Sequence, residues 1–125
     1  SLITEGFLPV ISPVATDNDG VGFNINADLV AAAIGGGLKA DSVVFLTDVD
    51  GIYRAWPERS SLISEISVAE LKKIAPTFTD GMIPKVKAAI NAVDSGALSV
   101  RVTNGTKLSS VLDALDNKGG TSVKA

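Results

Sequence analysis

Three polar clusters interrupt an otherwise aliphatic chain: Asn24-Ile25-Asn26-Ala27-Asp28, Thr47-Asp48-Val49-Asp50-Gly51 and Thr79-Asp80-Gly81-Met82-Ile83-Pro84-Lys85. Taken singly, each has an ordinary structural explanation. The first reads as a helix cap with Asp28 placed to suit the helix dipole, the second as a strand-ending turn, and Lys85 as a solvated lysine. Lys85 fits that explanation least well. Pro84 marks the first turn of a helix, and a cation there is opposed by the positive end of the dipole. An anion docked on the same helix start reverses the sign of that argument and makes Lys85 its natural partner.

Composition narrows the chemistry further. The 125 residues contain no Cys and no His. That excludes thiol nucleophiles, Cys/His zinc sites and histidine acid–base catalysis, and leaves carboxylates, Lys, Arg, hydroxyls, amides and backbone. No dedicated metal-ligand set is read from the sequence. Eleven basic against fourteen acidic residues, a net charge of −3, is the wrong sign for a chain that gains affinity by neutralising nucleic-acid phosphates. The longest apolar run, Leu29–Ile34, is far short of the ~20 residues that cross a bilayer, and no signal peptide opens the chain. No nucleic-acid or membrane partner is expected, and the location is expected to be cytoplasmic.

Periodicity and punctuation place the clusters on helices, strands and turns. Leu8–Val14 reads as a strand, Asp17–Gly20 as a turn and Val21–Asn24 as the returning arm of a hairpin. Asp17 and Asp19 do not carry EF-hand spacing. Asn26 is a helix N-cap for Ala27 to about Leu38. Gly35-Gly36-Gly37 falls late in that helix, the wrong context for a phosphate loop, and reads as helix wear or a helix end. Ser42–Thr47 has the continuous apolar character of a strand covered on both faces, and its polar carboxyl end lies where open α/β sheets bind ligands. Ser67–Glu70 is a capping box for a helix to about Ile74. A helix opens at Gly81–Lys85 and closes at Gly96, followed by a strand at Leu98–Thr103, a helix at Leu108–Leu115 and a terminal strand at Thr121–Val123. Asn104-Gly105-Thr106 is read as an Asn-Gly turn rather than a glycosylation sequon. This alternation predicts one α/β domain over residues 1–125, with a mainly parallel sheet sandwiched by helices. The opening Ser1–Gly6, without an initiator Met and running straight into apolar residues, reads as a chain entered partway through a larger protein, or as one from which a tag or leader has been removed.

In this order the clusters resemble the amino-acid kinase family, in its acetylglutamate-phosphorylating branch. The residues that carry the resemblance are Phe23–Asp28, Phe45–Tyr53, Trp56-Pro57 with Ser61–Ile66, and Gly81–Val86; the tract from Trp56 to Ile66 is most similar to the actinobacterial form. The resemblance implies an amino-acid/carbamate kinase-like fold of which this chain is the C-terminal half. It also implies transfer of the ATP γ-phosphoryl group, with Mg²⁺, to the γ-carboxylate of N-acetyl-L-glutamate in arginine biosynthesis. Position by position, it implies that Asn24 touches the acyl amino acid and that Asp28 orients the catalytic lysines. Thr47, Asp48, Val49, Asp50, Gly51, Ile52 and Tyr53, with Thr77, Phe78, Thr79 and Met82, would hold the nucleotide, and Lys85 would stabilise charge on the transferring group. A glycine-rich loop, a first lysine and much of the acceptor pocket would lie in the other half. Homo-oligomerisation is left open. The tail Asp116-Asn117-Lys118-Gly119-Gly120-Thr121 departs from the acidic residue and Gly-x-Gly-Thr of arginine-inhibited members, so arginine feedback is not carried over. Two alternatives stand beside this reading: a non-catalytic nucleotide-binding or structural module, and a sister kinase with another carboxylate acceptor.

Overall fold

Asn26 opens the first helix by accepting hydrogen bonds on Oδ1 from the backbone N–H groups of Asp28 and Leu29, at 2.9 and 3.2 Å. This satisfies two of the donors that a helix start leaves without a partner. The helix, α1, spans Ala27–Gly37 in a computed structural model that describes all 125 residues. Before it come β1, Val14–Thr16, and β2, Gly22–Asn24, paired antiparallel with Val14 opposite Asn24. The expected hairpin is therefore present, but its first arm starts at Val14 and not at Leu8. Pro9 and Pro13 remove two backbone donors from that stretch, and no neighbouring strand is there to pair with it.

The remaining elements are β3 (Val43–Thr47), β4 (Glu65–Ser67), α2 (Val68–Ile74), α3 (Ile83–Asp94), β5 (Ser99–Asn104), α4 (Leu108–Leu115) and β6 (Thr121–Lys124). Strands β3, β5, β6 and β4 lie in that order in one sheet. The β3–β5 and β4–β6 pairs are parallel and β5–β6 is antiparallel, so the sheet is mixed and mainly parallel. The chain doubles back between α4 and β6 through Asn117, Gly119 and Gly120, all three in the left-handed region. Strand β4, three residues with one buried side chain, is too short to announce itself and was not expected.

On one face of the sheet, Val100 and Val102 of β5 and Val123 of β6 are fully buried with Val86, Ala89 and Ala92 of α3, Leu71 of α2 and Ala32 of α1. Helix α3 lies at the centre of this layer, between α1 and α2. On the other face α4 covers β5 and part of β3. Strand β3 is an edge strand with β5 as its one neighbour, and Leu46 on its outer face is 54% exposed. The expectation that both faces of β3 are covered thus holds for Val43 and Phe45 and fails for Leu46. Leu108, Leu112 and Leu115 of α4 and Phe23 of β2 are likewise exposed. No helix is long and apolar enough to cross a membrane.

The capping box is formed as expected. Ser67 Oγ accepts from the Glu70 N–H at 3.2 Å, and the Glu70 carboxylate accepts from the Ser67 N–H at 3.4 Å and its hydroxyl at 3.0 Å. These bonds to the Ser67 side chain and backbone hold the Glu70 carboxyl below its ordinary value of 4.5. Ser67→Ala is expected to destabilise the fold by about 1 kcal/mol. By NMR titration the Glu70 carboxyl should return toward its ordinary value, and an unmoved midpoint would show that the cap does not set it.

Candidate active site

Thr47 closes β3 and shapes the turn after it. Its hydroxyl donates to the Val49 carbonyl at 2.9 Å and accepts from the Val49 N–H at 3.2 Å, a side-chain-closed turn that throws Asp48 outward with its side chain 83% exposed. The next carboxylate, Asp50, turns back toward the protein. Oδ1 accepts from Asn104 Nδ2 at 2.9 Å and from Lys107 Nζ at 3.1 Å, and Oδ2 lies 3.7 Å from Arg59 and 3.5 Å from the Tyr53 hydroxyl. The Asn104 bond, then the Lys107 bond and the two cations, hold the Asp50 carboxyl below its ordinary value of 3.8 against a smaller opposing cost of burial.

Gly51 allows this turn to press on β6, because a Cβ there would lie 2.5 Å from Thr121 Oγ1. Thr121 Oγ1 in turn accepts from the Ile52 N–H at 2.8 Å and donates to the Ile63 carbonyl at 2.6 Å. Ile52 and Tyr53 are buried, as are Phe78 and Met82. Four of the residues expected to hold a nucleotide therefore have core side chains, whereas Asp48 and Thr79 are exposed and Thr47 and Val49 half-buried. Thr77 caps the end of α2, its hydroxyl donating to the Ile74 carbonyl at 2.7 Å.

Facing the Asp48 turn is the start of α3. The Thr79 carbonyl accepts from the N–H groups of Met82 and Ile83 at 2.9 and 3.2 Å, which winds the chain into the helix, and no side chain caps it. Lys85 extends back along this start. Its ammonium donates to the Gly81 carbonyl at 3.4 Å and sits 3.7 Å from Asp48 Oδ1, with the side chain only 19% exposed. A lysine held at a helix N-terminus against an almost fully solvated aspartate is electrostatically under-compensated, and the surplus is positive.

Asp28, near the start of α1, lies alongside the same helix. It shares an open cleft with Asn26, Leu29, Ile83, Pro84 and Lys87. Asp28 thus faces the start of the helix that bears Lys85, while Lys85 itself does not line that cleft. They form no ion pair with each other: Lys85 reaches Asp48, and the lysine lining the Asp28 cleft is Lys87. Asn24 stands exposed at the end of β2, outside that cleft. No three acidic groups gather closely enough to hold a metal by themselves.

Sequence reasoning missed Lys87, Asn104, Lys107 and Arg59. For Lys87 the signal was present, since it is a second cation in the opening turns of α3 with the same unfavourable dipole. For Asn104 and Lys107 it was not, because only the pairing of Thr47 with Asn104 across β3 and β5 brings them to Asp50. Since the folded Asp50 carboxyl is depressed, its contribution to the turn is present above pH 3.8 and is lost as pH falls through the lower folded value. The reporter is Trp56, the only tryptophan, which packs edge-on to Tyr53 at 5.0 Å. Asn104→Ala is expected to move the acid transition of Trp56 fluorescence to higher pH; an unchanged midpoint would show that Asn104 does not set the Asp50 carboxyl.

The chain is similar throughout to known proteins. It is 43% identical over 98% of its length to the acetylglutamate kinase of Mycobacterium sp. (strain JLS) and 45% identical over 98% to that of Mycolicibacterium smegmatis, covering 42% of each. Corynebacterium urealyticum acetylglutamate kinase is 44% identical over 95% of the chain, which covers 39% of it. The chain therefore spans about two-fifths of the length of the curated relatives it matches. Among solved structures, N-acetylglutamate synthase from Neisseria gonorrhoeae, complexed with coenzyme A and N-acetyl-glutamate, superposes with a TM-score of 0.79 at 29% identity, covering 90% of this chain and 26% of that one. Carbamate kinase from Giardia lamblia bound to AMP-PNP gives 0.67 at 28% identity, covering 89% and 40%. The amino acid kinase family model matches residues 1–104, from the hairpin through β5 and including all three polar clusters. With the α/β architecture and the lysine-bearing start of α3 already described, these matches establish that the chain belongs to the amino acid kinase family.

Proposed function

We propose that this chain is the nucleotide half of an acetylglutamate kinase, transferring the γ-phosphoryl group of ATP to the γ-carboxylate of N-acetyl-L-glutamate. The observation that carries the reading is the juxtaposition of Lys85, at the uncapped start of α3, with the Asp48 turn at the carboxyl end of β3. It is supported by acetylglutamate kinases at 43–45% identity and by the match to a carbamate kinase bound to AMP-PNP.

Phosphoryl transfer asks a protein mainly for positioning and for cations around the equatorial oxygens. An acceptor carboxylate is already ionised at neutral pH, so no general base is needed and the absence of His and Cys is no handicap. In this reading the phosphates lie between the Asp48 turn and α3, where Lys85 exchanges its solvated aspartate partner for the transferring group. Asp28 steadies the lysines from the α1 side, with Lys87 beside it, and Asn24 meets the acceptor. Mg²⁺ would travel with the nucleotide. An isolated carboxylate such as Asp28 suits an ion held mostly by phosphates and water. In this role Mg²⁺ supplies charge neutralisation of the phosphates.

The remainder of the polypeptide is assigned to the open edge of β3, where unpaired backbone groups adjoin exposed Leu46 and the exposed leucines of α4. The isolated chain is then expected to bind Mg-ATP without turnover, and the location to be cytoplasmic. The test is a full-length polypeptide assayed with Mg-ATP and N-acetyl-L-glutamate, the acyl phosphate being trapped as a hydroxamate. Nucleotide binding with no acyl phosphate from any carboxylate would replace this reading with a non-catalytic module. Faster turnover of another acylated amino acid would make it a sister kinase.

A further inference from the structure

Asn104-Gly105 is the chain's only Asn-Gly pair, and it stands at the end of β5 beside the Asp50 cluster. In a flexible chain this dipeptide is the most readily deamidated, because glycine offers no side-chain obstruction to attack by its own backbone nitrogen. The step is balanced by the peptide itself and water. A bond forms between Gly105 N and Asn104 Cγ, the Cγ–Nδ2 bond breaks, and ammonia leaves with the proton lost by the Gly105 amide. Water then opens the cyclic imide at either carbonyl, giving aspartate or isoaspartate.

The fold opposes this at both reacting groups. The Gly105 N–H donates to the Thr47 carbonyl at 2.8 Å, so the nucleophile is tied to the strand next door and its proton is held. The Asn104 side chain is only slightly exposed and engaged at both polar atoms: Nδ2 donates to Asp50 Oδ1 at 2.9 Å, while Oδ1 accepts from the Thr106 N–H at 2.9 Å and the Thr106 hydroxyl at 2.7 Å. Four hydrogen bonds, to Thr47 at the end of β3 and to Asp50 and Thr106 in the turns beyond the sheet, therefore hold the pair in an unreactive arrangement.

Conversion would not be silent. Asn104 is the largest contributor to holding the Asp50 carboxyl ionised, through a bond that only an amide N–H can donate. An aspartate at this position presents a second carboxylate to Asp50 in place of that donor. Lys107 and Arg59 face the same site but are 57% and 75% exposed, so water screens what they can offset. Isoaspartate adds a backbone methylene between β5 and the Gly105 amide that pairs with Thr47, which breaks the register at the end of the sheet.

We propose that Asn104 is a fold-gated deamidation site: stable while the Thr47–Asp50 turn is docked, reactive once that turn opens, and converted to a residue that prevents re-docking. The inference goes beyond the kinase reading and does not depend on it. The chain is incubated at mildly alkaline pH, folded and in denaturing urea, and Asn104 is followed by peptide mass mapping that separates aspartate from isoaspartate. Because the folded rate is limited by the fraction of molecules with the turn open, conversion is expected to be at least about tenfold slower folded than unfolded. Asp50→Ala, which frees Nδ2, should raise the folded-state rate while leaving the rate in urea unchanged. Equal rates folded and in urea would overturn the gate, as would a folded rate untouched by Asp50→Ala. The consequence is tested with Asn104→Asp, expected to lower the thermal midpoint and alter Trp56 emission, with Asn104→Ser as a smaller polar comparison. Unchanged melting and emission in Asn104→Asp would overturn the claim that conversion prevents re-docking, and a variant that does not fold at all would support it once Asn104→Ser folds.

Discussion

Replacing Lys85 with alanine in the full-length polypeptide is expected to lower kcat by about 10²–10³, a barrier increase of roughly 3–4 kcal/mol, the usual loss when one preorganised donor to a developing charge is removed. The KM for ATP should change far less, because the ammonium's partner in the resting protein is a solvated aspartate at 3.7 Å and the gain comes when charge spreads over the transferring group. Stability supplies an independent check. Lys85 sits in the first turn of α3, where a cation is opposed by the helix dipole, so Lys85→Ala should leave the melting temperature unchanged or raise it slightly. A structural role would produce the opposite pattern, with Tm falling and kcat following it. Turnover within about threefold of the parent would reject the assignment, since one preorganised cation is expected to matter far more than that. Lys87→Ala gives a useful contrast: it lines the Asp28 cleft, so its loss should be felt mainly through the positioning of Asp28.

The second large effect is expected at Gly36. A Cβ built there would lie inside contact distance of Ser95 Cβ and 2.5 Å from the Ser95 carbonyl oxygen, where α1 crosses the end of α3. Backbone cannot step aside as a side chain can. Gly36→Ala should therefore push the helices apart at a cost of roughly 1–3 kcal/mol, lowering Tm by about 5–15 °C for a domain of this size. Gly37→Ala is the matched control, because nothing lies within 4 Å of a Cβ at that position. It carries the helix-propensity benefit of alanine, up to about 0.5–1 kcal/mol, without the clash. Thermal melts of the two variants isolate the crossing, and equal midpoints would show that α1 and α3 are free to separate. A loosened crossing also moves Asp28, which is carried on α1, relative to the α3 turn that bears Lys85 and Lys87. Gly36→Ala is thus expected to weaken catalysis in the full-length polypeptide as well as stability.

The glycine run marks one boundary between what is local and what is not. From sequence, Gly35–Gly37 is helix wear or a helix end; in three dimensions a Cβ on Gly35 meets Val43, one on Gly36 meets Ser95 and one on Gly37 meets nothing. Three identical residues in a row carry three different constraints, and their order along the chain does not reveal which is which. The Asp48–Tyr53 segment shows the same limit. Its polar character and its place after a strand marked it as a ligand-facing turn, yet Asp48 is solvated, Asp50 is bound into the Asn104, Lys107 and Arg59 cluster, and Ile52 and Tyr53 are core.

Residue order alone was enough for the elements with strong short-range signals: the Asn26 cap, the Ser67–Glu70 capping box, the start of α3 at Pro84 and the whole of α4. It was also enough for the kind of chemistry open to a chain without His or Cys, and for the family. The caps and helix starts depend on residues a few positions apart, whose preferences act before any distant contact forms, and the family and the chemistry on residue types and their order, which need no tertiary contact to be read. Only the packed fold settled that β6 runs antiparallel to β5, that β3 is an exposed edge, that Lys85 turns to Asp48 while Lys87 turns to the Asp28 cleft, and that Asn104 closes on Asp50. Each of these joins segments separated by long stretches of chain. Their geometry is set by how whole elements pack and by the register of strand pairing, quantities that no local pattern of residues encodes.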